Sequence, residues 1–128
     1  MARNSCPCGL GRPYESCCGR LHRHEAVAAT PEELMRSRYS AFAVGDAGYL
    51  RETWHPRTRP KTIDLSGQAA EEWTRLEILS TSGGSAFHVE GTVEFRAHYR
   101  AGGEEHTQYE HSTFVREDGR WFYVDQLN

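Results

Sequence analysis

Four cysteines near the start of the chain offer the clearest chemistry in the sequence. Cys6, Cys8, Cys17 and Cys18 fall in the run C-P-C-G-L-G-R-P-Y-E-S-C-C-G. Four thiolate donors around a turn rich in glycine and proline can surround a tetrahedral zinc ion, with Zn–S distances of about 2.3 Å. The spacing therefore predicts one bound Zn²⁺ with Cys6, Cys8, Cys17 and Cys18 as its ligands.

Other uses of these thiols remain open at this point. Disulfides fit the spacing poorly, because the adjacent Cys17 and Cys18 could bridge only through strained geometry. Labile thiol chemistry would favour a C-x-x-C pair, which the sequence lacks, and an iron–sulfur cluster would use the same donors. Residues 1–5 lead into the cluster without the apolar segment of a secretory signal, so we expect a cytoplasmic protein with reduced thiols.

A zinc ion held by four sulfur atoms has no open position for water or substrate, so its expected role is structural. Residues 1–24 contain few large apolar side chains, namely Leu10, Tyr14 and Leu21. These are too few to offset the conformational entropy lost when the segment becomes ordered. Metal binding would supply the missing free energy. We therefore expect a zinc-binding module over residues 1–24 and a second domain over residues 25–128.

The cysteine pattern resembles a known zinc module. C-P-C-G-x-G-x-x-Y-x-x-C-C-G is similar to the SEC-C motif, found at the C-terminal end of the SecA translocation motor and in many other bacterial proteins. The resemblance assigns the same four cysteines as ligands, and Leu10 stands where the family usually has serine. In SecA the module is associated with protein partners and ribosomes. The resemblance therefore implies a secretory or ribosomal partner.

Size and charge limit the remaining classes of function. The chain has 128 residues, 14.6 kDa and a formal net charge of -3, and no apolar run approaches the roughly 20 residues that span a membrane. The net charge does not favour nucleic-acid binding by the whole protein. Residues 1–24 are basic, however, and could make a weak contact with RNA phosphates or with an acidic protein face. The simpler interpretation is a solvated rim that offsets the negative metal site.

From Thr30 onward the pattern becomes helical. Thr30-Pro31-Glu32-Glu33 has the form of a capping box with proline at the first helical position, and this helix should end at Gly45. Asp46 can cap a shorter helix that carries Trp54 and ends at His55-Pro56. Residues 63–70 allow a third short helix.

After Trp73 the apolar period changes from 3.6 to 2, which is typical of strands. A first strand should end in the turn at residues 82–85, and a long second strand should alternate apolar and polar residues from Phe87 to Arg100. Turns at Gly102-Gly103 and Asp118-Gly119 then lead to a third and a fourth strand.

The tight turns determine which residues should face each other across the strands. Phe95 is expected opposite Glu110, and Ser112 opposite Asp125. The apolar face of the sheet would therefore contain an acidic patch. Its apolar members would be Phe87, Val89, Val93, Phe95, Phe114, Trp121 and Tyr123.

Arg38 is the complementary polar residue on the first helix. It lies one turn from both Leu34 and Phe42 and so leans toward the apolar stripe. A carboxylate in an apolar cavity must be paired, and arginine supplies a permanently charged fork. We therefore expect Arg38 to meet Glu110, with Asp125 as a further partner. The alternative is that Arg38 extends along its stem to solvent.

Helices that cover the concave face of a bent antiparallel meander form an α+β cone. The predicted order of three helices followed by four strands is similar to that of the nuclear transport factor 2-like (NTF2-like) fold. Four runs narrow the resemblance: L-M-R-S-R-Y-S-A-F at 34–42, D-A-x-Y-L at 46–50, T-W-H-P at 53–56 and D-G-R-W-F-Y-V-D at 118–125. With the N-terminal zinc knuckle, the chain resembles the YchJ-type family of uncharacterised bacterial proteins. The family has no assigned reaction, so the resemblance implies an architecture and a metal.

Two classes of function follow. In the first, the chain is a non-catalytic binding or adaptor protein whose knuckle docks a partner and whose cone can hold a small ligand. In the second, the cone is an isomerase-, dehydratase- or hydrolase-like enzyme that moves a proton in an apolar pocket. Its candidate groups would be Glu110, Asp125 and His55, with Arg38 as an anion clamp, although His55 also suits a hydrogen-bonded rim position. No phosphate loop, Ser-His-Asp order or H-E-x-x-H run is present, which favours binding.

One face of the predicted sheet is expected to line a pocket, and the opposite face to form a dimer interface. The residues expected to line the pocket are Arg38, Tyr39, Trp54, Phe95, Glu110, Ser112, Phe114, Trp121, Tyr123 and Asp125. The opposite face bears Thr113, Val115, Phe122 and Val124. That face is more apolar than an exposed sheet usually is, so we expect a homodimer through it unless a helix or the knuckle covers it.

Overall fold

Three helices and one sheet make up the part of the chain that the structure describes. This computed structural model describes residues 5–63, 72–83 and 87–127. A 3₁₀ turn spans Tyr14–Ser16, and the helices are α1 (Cys18–His22), α2 (Pro31–Val44) and α3 (Ala47–Glu52). The strands are β1 (Glu72–Ser82), β2 (Glu90–Ala101), β3 (Glu104–Glu117) and β4 (Arg120–Gln126), in the order β1-β2-β3-β4 with antiparallel neighbours. The predicted α+β class is confirmed.

Helix α2 begins and ends where its sequence signals place it. The Thr30 hydroxyl accepts a hydrogen bond from the Glu33 backbone N–H at 3.1 Å, while the Glu33 carboxylate accepts one from the Ala29 N–H at 2.7 Å. Gly45 ends the helix with φ of 82°, a left-handed conformation that glycine adopts without a steric cost. The predicted caps of this helix are confirmed.

Helix α3 is shorter than predicted. The Asp46 carboxylate caps it by accepting from the Tyr49 N–H at 3.0 Å, but the helix ends at Glu52 and does not include Trp54. Trp54 instead forms an isolated parallel bridge with Tyr123 of β4, because the chain leaves the helix to run beside the sheet. The predicted third helix over 63–70 lies almost wholly outside the described residues.

The strand register predicted from the turns is found along the β2–β3 hairpin, but it is lost part of the way along the β3–β4 hairpin. Phe95 faces Glu110 across β2 and β3, as predicted. Across β3 and β4, an irregularity between Thr113 and Phe114 places Asp125 opposite Thr113. The prediction that Ser112 faces Asp125 is therefore wrong. A tight turn fixes the pairing next to it, whereas a bulge further along the strand shifts the pairing by one residue.

The start of the second strand also differs from the prediction. Strand β2 begins at Glu90, and the preceding Phe87 and Val89 are 95% and 60% exposed. These two residues do not belong to the apolar face of the sheet. The apolar alternation extends beyond the strand, since a period of 2 alone does not show where pairing with a neighbouring strand begins.

The main core lies between α2 and the concave face of the sheet. Its buried members are Ala28, Leu34, Met35, Tyr39, Leu76, Val93, Phe95, Ala97, Phe114 and Trp121. At Gly91 a Cβ atom would lie 2.7 Å from Cγ of Pro31. Glycine at this position therefore lets the start of α2 approach β2 closely.

The opposite face of the sheet is partly covered by the segment after α3. The ring of His55 packs edge-on against Phe122 with 5.8 Å between centroids, and the Thr58 hydroxyl donates to the Val124 carbonyl at 2.7 Å. Part of the apolar surface that suggested a homodimer is therefore used within the chain. Among the described residues, no helix is both long enough and apolar enough to span a bilayer.

Candidate metal centre and cone cavity

The four cysteines converge on one buried point. Their sulfur atoms lie within 4.8 Å of one another, and those of Cys8 and Cys17 are 3.6 Å apart. In a regular tetrahedron with Zn–S distances of about 2.3 Å, the sulfur atoms are about 3.8 Å apart. All four side chains are buried, and the described residues add no carboxylate or imidazole to the cluster. The donor set fits a thiophilic ion in tetrahedral coordination, so the cluster could hold a metal ion.

Two left-handed glycines bring the first cysteine pair against the second. Gly9 and Gly11 have φ of 88° and 84°, and the loop closes through the Cys6 N–H, which donates to the Arg12 carbonyl at 2.8 Å. Cys17 and Cys18 follow at the junction of the 3₁₀ turn and α1. The Gly/Pro-rich spacer is therefore the element that folds the four sulfur atoms together.

Hydrogen bonds between the thiols shift the pKa values within the cluster. The bond from Cys18 holds the pKa of Cys6 far below its usual value, and the same bond, together with burial, raises the pKa of Cys18. The thiolate form of Cys6 is thus favoured by its neighbour, and the neutral form of Cys18 is favoured in turn. A thiophilic ion would displace the remaining protons, so its binding would be coupled to proton release.

The cysteine segment packs directly on α2. Arg36 donates to the Cys8 carbonyl at 2.7 Å, and His22 Nε2 donates to the Ser37 carbonyl at 2.9 Å. Since a carbonyl only accepts, Nε2 carries a proton, and Nδ1 is free to accept from the Tyr14 hydroxyl at 2.6 Å. The segment is therefore attached to the cone by directional bonds.

Further contacts strengthen this attachment. The Ser40 hydroxyl lies 3.4 Å from the sulfur of Cys6, and Arg20 forms an ion pair with Glu33 at 2.7 Å. Ser37, Ser40 and Ala41 are fully buried. Analysis of the sequence missed this packing, although small side chains recurring at helical spacing are a signal for close approach by another element.

A second feature is a cavity of about 190 Å³ between α2 and the sheet. Seven of the residues expected in the pocket line it: Arg38, Tyr39, Trp54, Phe95, Glu110, Ser112 and Tyr123. The other lining residues are Met35, Phe42, Trp73, Ala97 and Gln108. Half of the lining side chains are aromatic, so the wall is largely apolar with a few polar groups, as in most small-molecule sites.

Four candidates lie elsewhere. Phe114 is buried in the core beneath the cavity, and Trp121 packs near Ala29, whose carbonyl accepts from its indole N–H at 3.2 Å. Asp125 is exposed, because the β4 irregularity turns it away from the concave face. These three residues therefore do not line the cavity.

His55 is the fourth candidate residue that lies outside the cavity. Its Nδ1 accepts from the Arg57 N–H at 3.0 Å, so Nε2 donates to the Glu117 carboxylate at 2.9 Å. Its backbone N–H donates to the Tyr123 carbonyl at 2.7 Å. His55 thus fastens the segment after α3 to the edge of the sheet, and the proton-transfer role would require it to be in the cavity.

Arg38 does not form the expected ion pair. It is only 4% exposed, so the alternative in which it reaches solvent is also wrong. Nη1 donates to the Leu50 carbonyl at 2.8 Å and to the Thr53 hydroxyl at 2.7 Å. Among the described residues, no carboxylate lies within ion-pair distance of it. Burial lowers the pKa of Arg38 to about 10, which leaves it charged at neutral pH.

Aromatic rings occupy the place where a carboxylate was expected. The guanidinium carbon of Arg38 lies 4.6 Å from the ring centre of Tyr123 and 5.4 Å from that of Trp54. Glu110 lies at the hydroxyl end of Tyr123, whose hydroxyl donates to Glu110 Oε2 at 3.2 Å. Ser112 donates to the same oxygen at 2.6 Å. Tyr123 therefore contacts both charged groups.

The fold and the site together define a class of protein: an NTF2-like α+β domain with an N-terminal cysteine cluster of the SEC-C type. Residues 30–126 match the family described as "YchJ, middle NTF2-like domain". The chain belongs to this YchJ family, and its sequence relatives are UPF0225 proteins.

Relatives and solved structures agree with this assignment. A UPF0225 protein of Streptomyces coelicolor is 57% identical over 98% of this chain and 96% of its own length. A UPF0225 protein of Chromobacterium violaceum is 47% identical over 99% and 95%. The solution structure of a SEC-C motif containing protein from Rhodopseudomonas palustris is 37% identical, with a TM-score of 0.82 over 94% of this chain and 95% of that one. The crystal structure of a SEC-C motif containing protein from Psychrobacter arcticus is 25% identical, with a TM-score of 0.79 over 97% and 82%.

Proposed function

We propose that the chain is a non-catalytic binding protein built around a structural zinc ion. One Zn²⁺ at Cys6, Cys8, Cys17 and Cys18 would hold the N-terminal knuckle in shape. The knuckle would dock a protein partner, secretory or ribosomal, and the cone cavity would hold a small ligand. Four sulfur donors leave a zinc ion no open position, which supports a structural rather than a catalytic metal.

The observation that carries the choice of binding over catalysis is the composition of the cavity. Of the three candidate proton-transfer groups, Glu110 lines it, whereas Asp125 is exposed and His55 is bonded to Glu117. Proton transfer usually needs an acid and a base on either side of a reacting group. A single carboxylate among aromatic walls is better suited to holding a ligand in one orientation.

The outer edge of the knuckle supports a docking role. Leu10, between the left-handed Gly9 and Gly11, is 43% exposed, and Arg12 beside it is also exposed. An apolar residue next to a cation on a rigid loop can contact an apolar patch with an acidic rim on another protein. We place the partner-binding surface at this loop.

Metal content and partner capture test the proposal together. Purified protein should contain one zinc ion per chain by elemental analysis, and Cys8→Ser should lose it. A double variant, Leu10→Ser with Arg12→Ser, should keep the zinc but lose ribosomal or secretory partners in a pull-down from a cell lysate. If this variant captures the same partners as the wild type, the loop is not the docking surface.

The second candidate function is an enzyme of the isomerase, dehydratase or hydrolase type, because Glu110 lies in the cavity and could move a proton. A blind ligand screen by native mass spectrometry on the zinc-loaded protein separates the two. A molecule that the protein retains and then releases without chemical change supports the binding function. A molecule that the wild type converts, and that Glu110→Gln retains without conversion, would establish the enzyme instead.

A further inference from the structure

The unused hydrogen-bonding groups of the cone cavity indicate which class of ligand it takes. Arg38 uses Nη1 for both of its hydrogen bonds, to Leu50 and to Thr53. Among the described residues, its Nε and Nη2 have no hydrogen-bond partner. These two nitrogens share one edge of the guanidinium group, and their parallel N–H bonds match the two oxygens of a carboxylate.

The surroundings of Arg38 hold this edge of the guanidinium group in a fixed position. Its side chain is buried and fixed at Nη1, and the rings of Tyr123 and Trp54 hold the guanidinium plane. A buried cation without a bonded anion is costly, and an anion that reaches it recovers much of that cost. Within the described part of the chain, the indole N–H groups of Trp54 and Trp73, both lining residues, also have no acceptor. The wall therefore offers more donors than it uses.

Glu110 sets the chemistry of the other end. Ser112 and Tyr123 both donate to its Oε2, and among the described residues Oε1 accepts no hydrogen bond. A ligand group near Oε1 must therefore be a donor. A phosphate dianion would be repelled by Glu110 more strongly than a carboxylate would, and the cavity of about 190 Å³ has room for about six water molecules. These features suit a small ligand with one negative charge.

We propose that the cone cavity binds a small planar carboxylic acid that carries a hydroxyl or amino group at its opposite end. Its carboxylate would accept from Nε and Nη2 of Arg38, its donor group would bond Glu110 Oε1, and its planar body would lie between the aromatic walls. The inference rests on the proposed function only in that the cavity holds a ligand, and it adds the ligand's chemical class.

The test uses 4-hydroxybenzoate as the probe, titrated into the full-length zinc-loaded protein by calorimetry. Benzoate lacks the donor and phenol lacks the carboxylate, so each removes one half of the recognition. We expect a single site for 4-hydroxybenzoate, with benzoate and phenol each weaker by about tenfold or more, as expected for losing a hydrogen bond to a charged group.

Two variants and one control variant connect these differences in affinity to individual residues. Arg38→Met should abolish the preference for 4-hydroxybenzoate over phenol, whereas Arg96→Met, an exposed arginine on the opposite sheet face, should change nothing. Glu110→Gln should reduce the preference for 4-hydroxybenzoate over benzoate. If Arg38→Met does not fold, the inference is still tested by the affinities of the wild-type protein for the three probes and by the Glu110→Gln variant.

Equal affinity for the three probes, or unchanged binding in folded Arg38→Met, would overturn the inference. So would a wild-type protein that binds none of them. In that last case the blind screen separates two failures: retention of another molecule leaves the proposed function standing, and an empty cavity throughout refutes the ligand-binding role as well.

Discussion

Arg38 and Glu110 show how a buried charge is accommodated at the scale of single residues. Each was expected to neutralise the other, yet Arg38 is held by two oxygen acceptors and two aromatic faces, and Glu110 by two hydroxyl donors. Neutral dipoles and π-faces can solvate an ion without consuming all of its bonding capacity. Capacity on both groups therefore remains available to a ligand.

Tyr49 provides a prediction about pH. Its hydroxyl lies 2.7 Å from Ser37 Oγ, which itself donates to the Leu34 carbonyl, so Tyr49 is the donor. Burial raises the pKa of Tyr49 to about 12. A group whose pKa is raised on folding stabilises fully below its unfolded value near 10, and this contribution is lost as the pH rises through 12. The free energy of unfolding should therefore fall between pH 10 and 12, by up to about 3 kcal/mol from this residue.

Urea denaturation of the zinc-loaded protein at pH 9, 10 and 11 measures this effect. Tyr49→Phe should be less stable at pH 9 by about 1 kcal/mol, for the lost hydrogen bond, and should have a flatter alkaline profile. Tyr99→Phe, on β2, serves as the control. An unchanged alkaline slope in Tyr49→Phe would refute the assignment.

At the scale of elements, α2 has two working faces. One face carries Leu34, Met35 and Tyr39 into the main core, and the other presents Ser37, Ser40 and Ala41 to the cysteine segment and to α3. A disturbance of the knuckle should therefore reach the cone through this helix. Two predictions test this arrangement.

Two helix glycines form a matched pair. At Gly19 in α1 a Cβ atom would lie 2.7 Å from the Tyr14 carbonyl oxygen, whereas at Gly48 in α3 the nearest contact is 3.7 Å, to Asp46. Gly48→Ala should be neutral or stabilise by up to about 1 kcal/mol through helix propensity. Gly19→Ala should destabilise the protein and weaken metal retention, because backbone must move. Thermal unfolding and metal content check both, and equal behaviour of the two variants would contradict the close approach at α1.

Arg36 tests the attachment of the knuckle. Its side chain is mostly buried and donates to the Cys8 carbonyl, so Arg36→Met should lower the free energy of unfolding by about 1–3 kcal/mol and speed zinc loss to a chelator. Arg51 also donates to a backbone carbonyl, that of Lys61, but at an exposed position. Arg51→Met should cost less than about 0.5 kcal/mol. Similar losses in both variants would mean that the Cys8 contact does not hold the knuckle.

At the scale of the whole molecule, the metal centre and the cone should be thermodynamically coupled. Removing the proposed zinc ion with a chelator should unfold residues 5–24 and expose the side of α2 that they cover. Hydrogen exchange should then rise in these residues and in α2, while β2 and β3 retain protection. Unchanged protection of residues 5–24 after metal removal would show that the segment does not need the ion.

The fold was largely predictable because its signals are local. The caps of α2 and α3, the hairpin turns and the change of apolar period each depend on residues close in sequence, and resemblance to known families supplied the architecture. The errors arose where distant segments meet. The irregularity beside Phe114, the exposed Phe87 and Val89, and the partners of Arg38 all depend on contacts that no local pattern encodes.

By itself, the sequence determined the cysteine cluster, the order of helices and strands, and the presence of an arginine and a glutamate on the apolar face. Short-range chain geometry and side-chain alternation suffice for these features. The tertiary structure alone decided that Asp125 and His55 lie away from the cavity, that Arg38 and Glu110 each contact Tyr123 rather than forming an ion pair, and that the knuckle packs on α2. These outcomes depend on competition among many acceptors and surfaces, which is resolved only when the chain is packed.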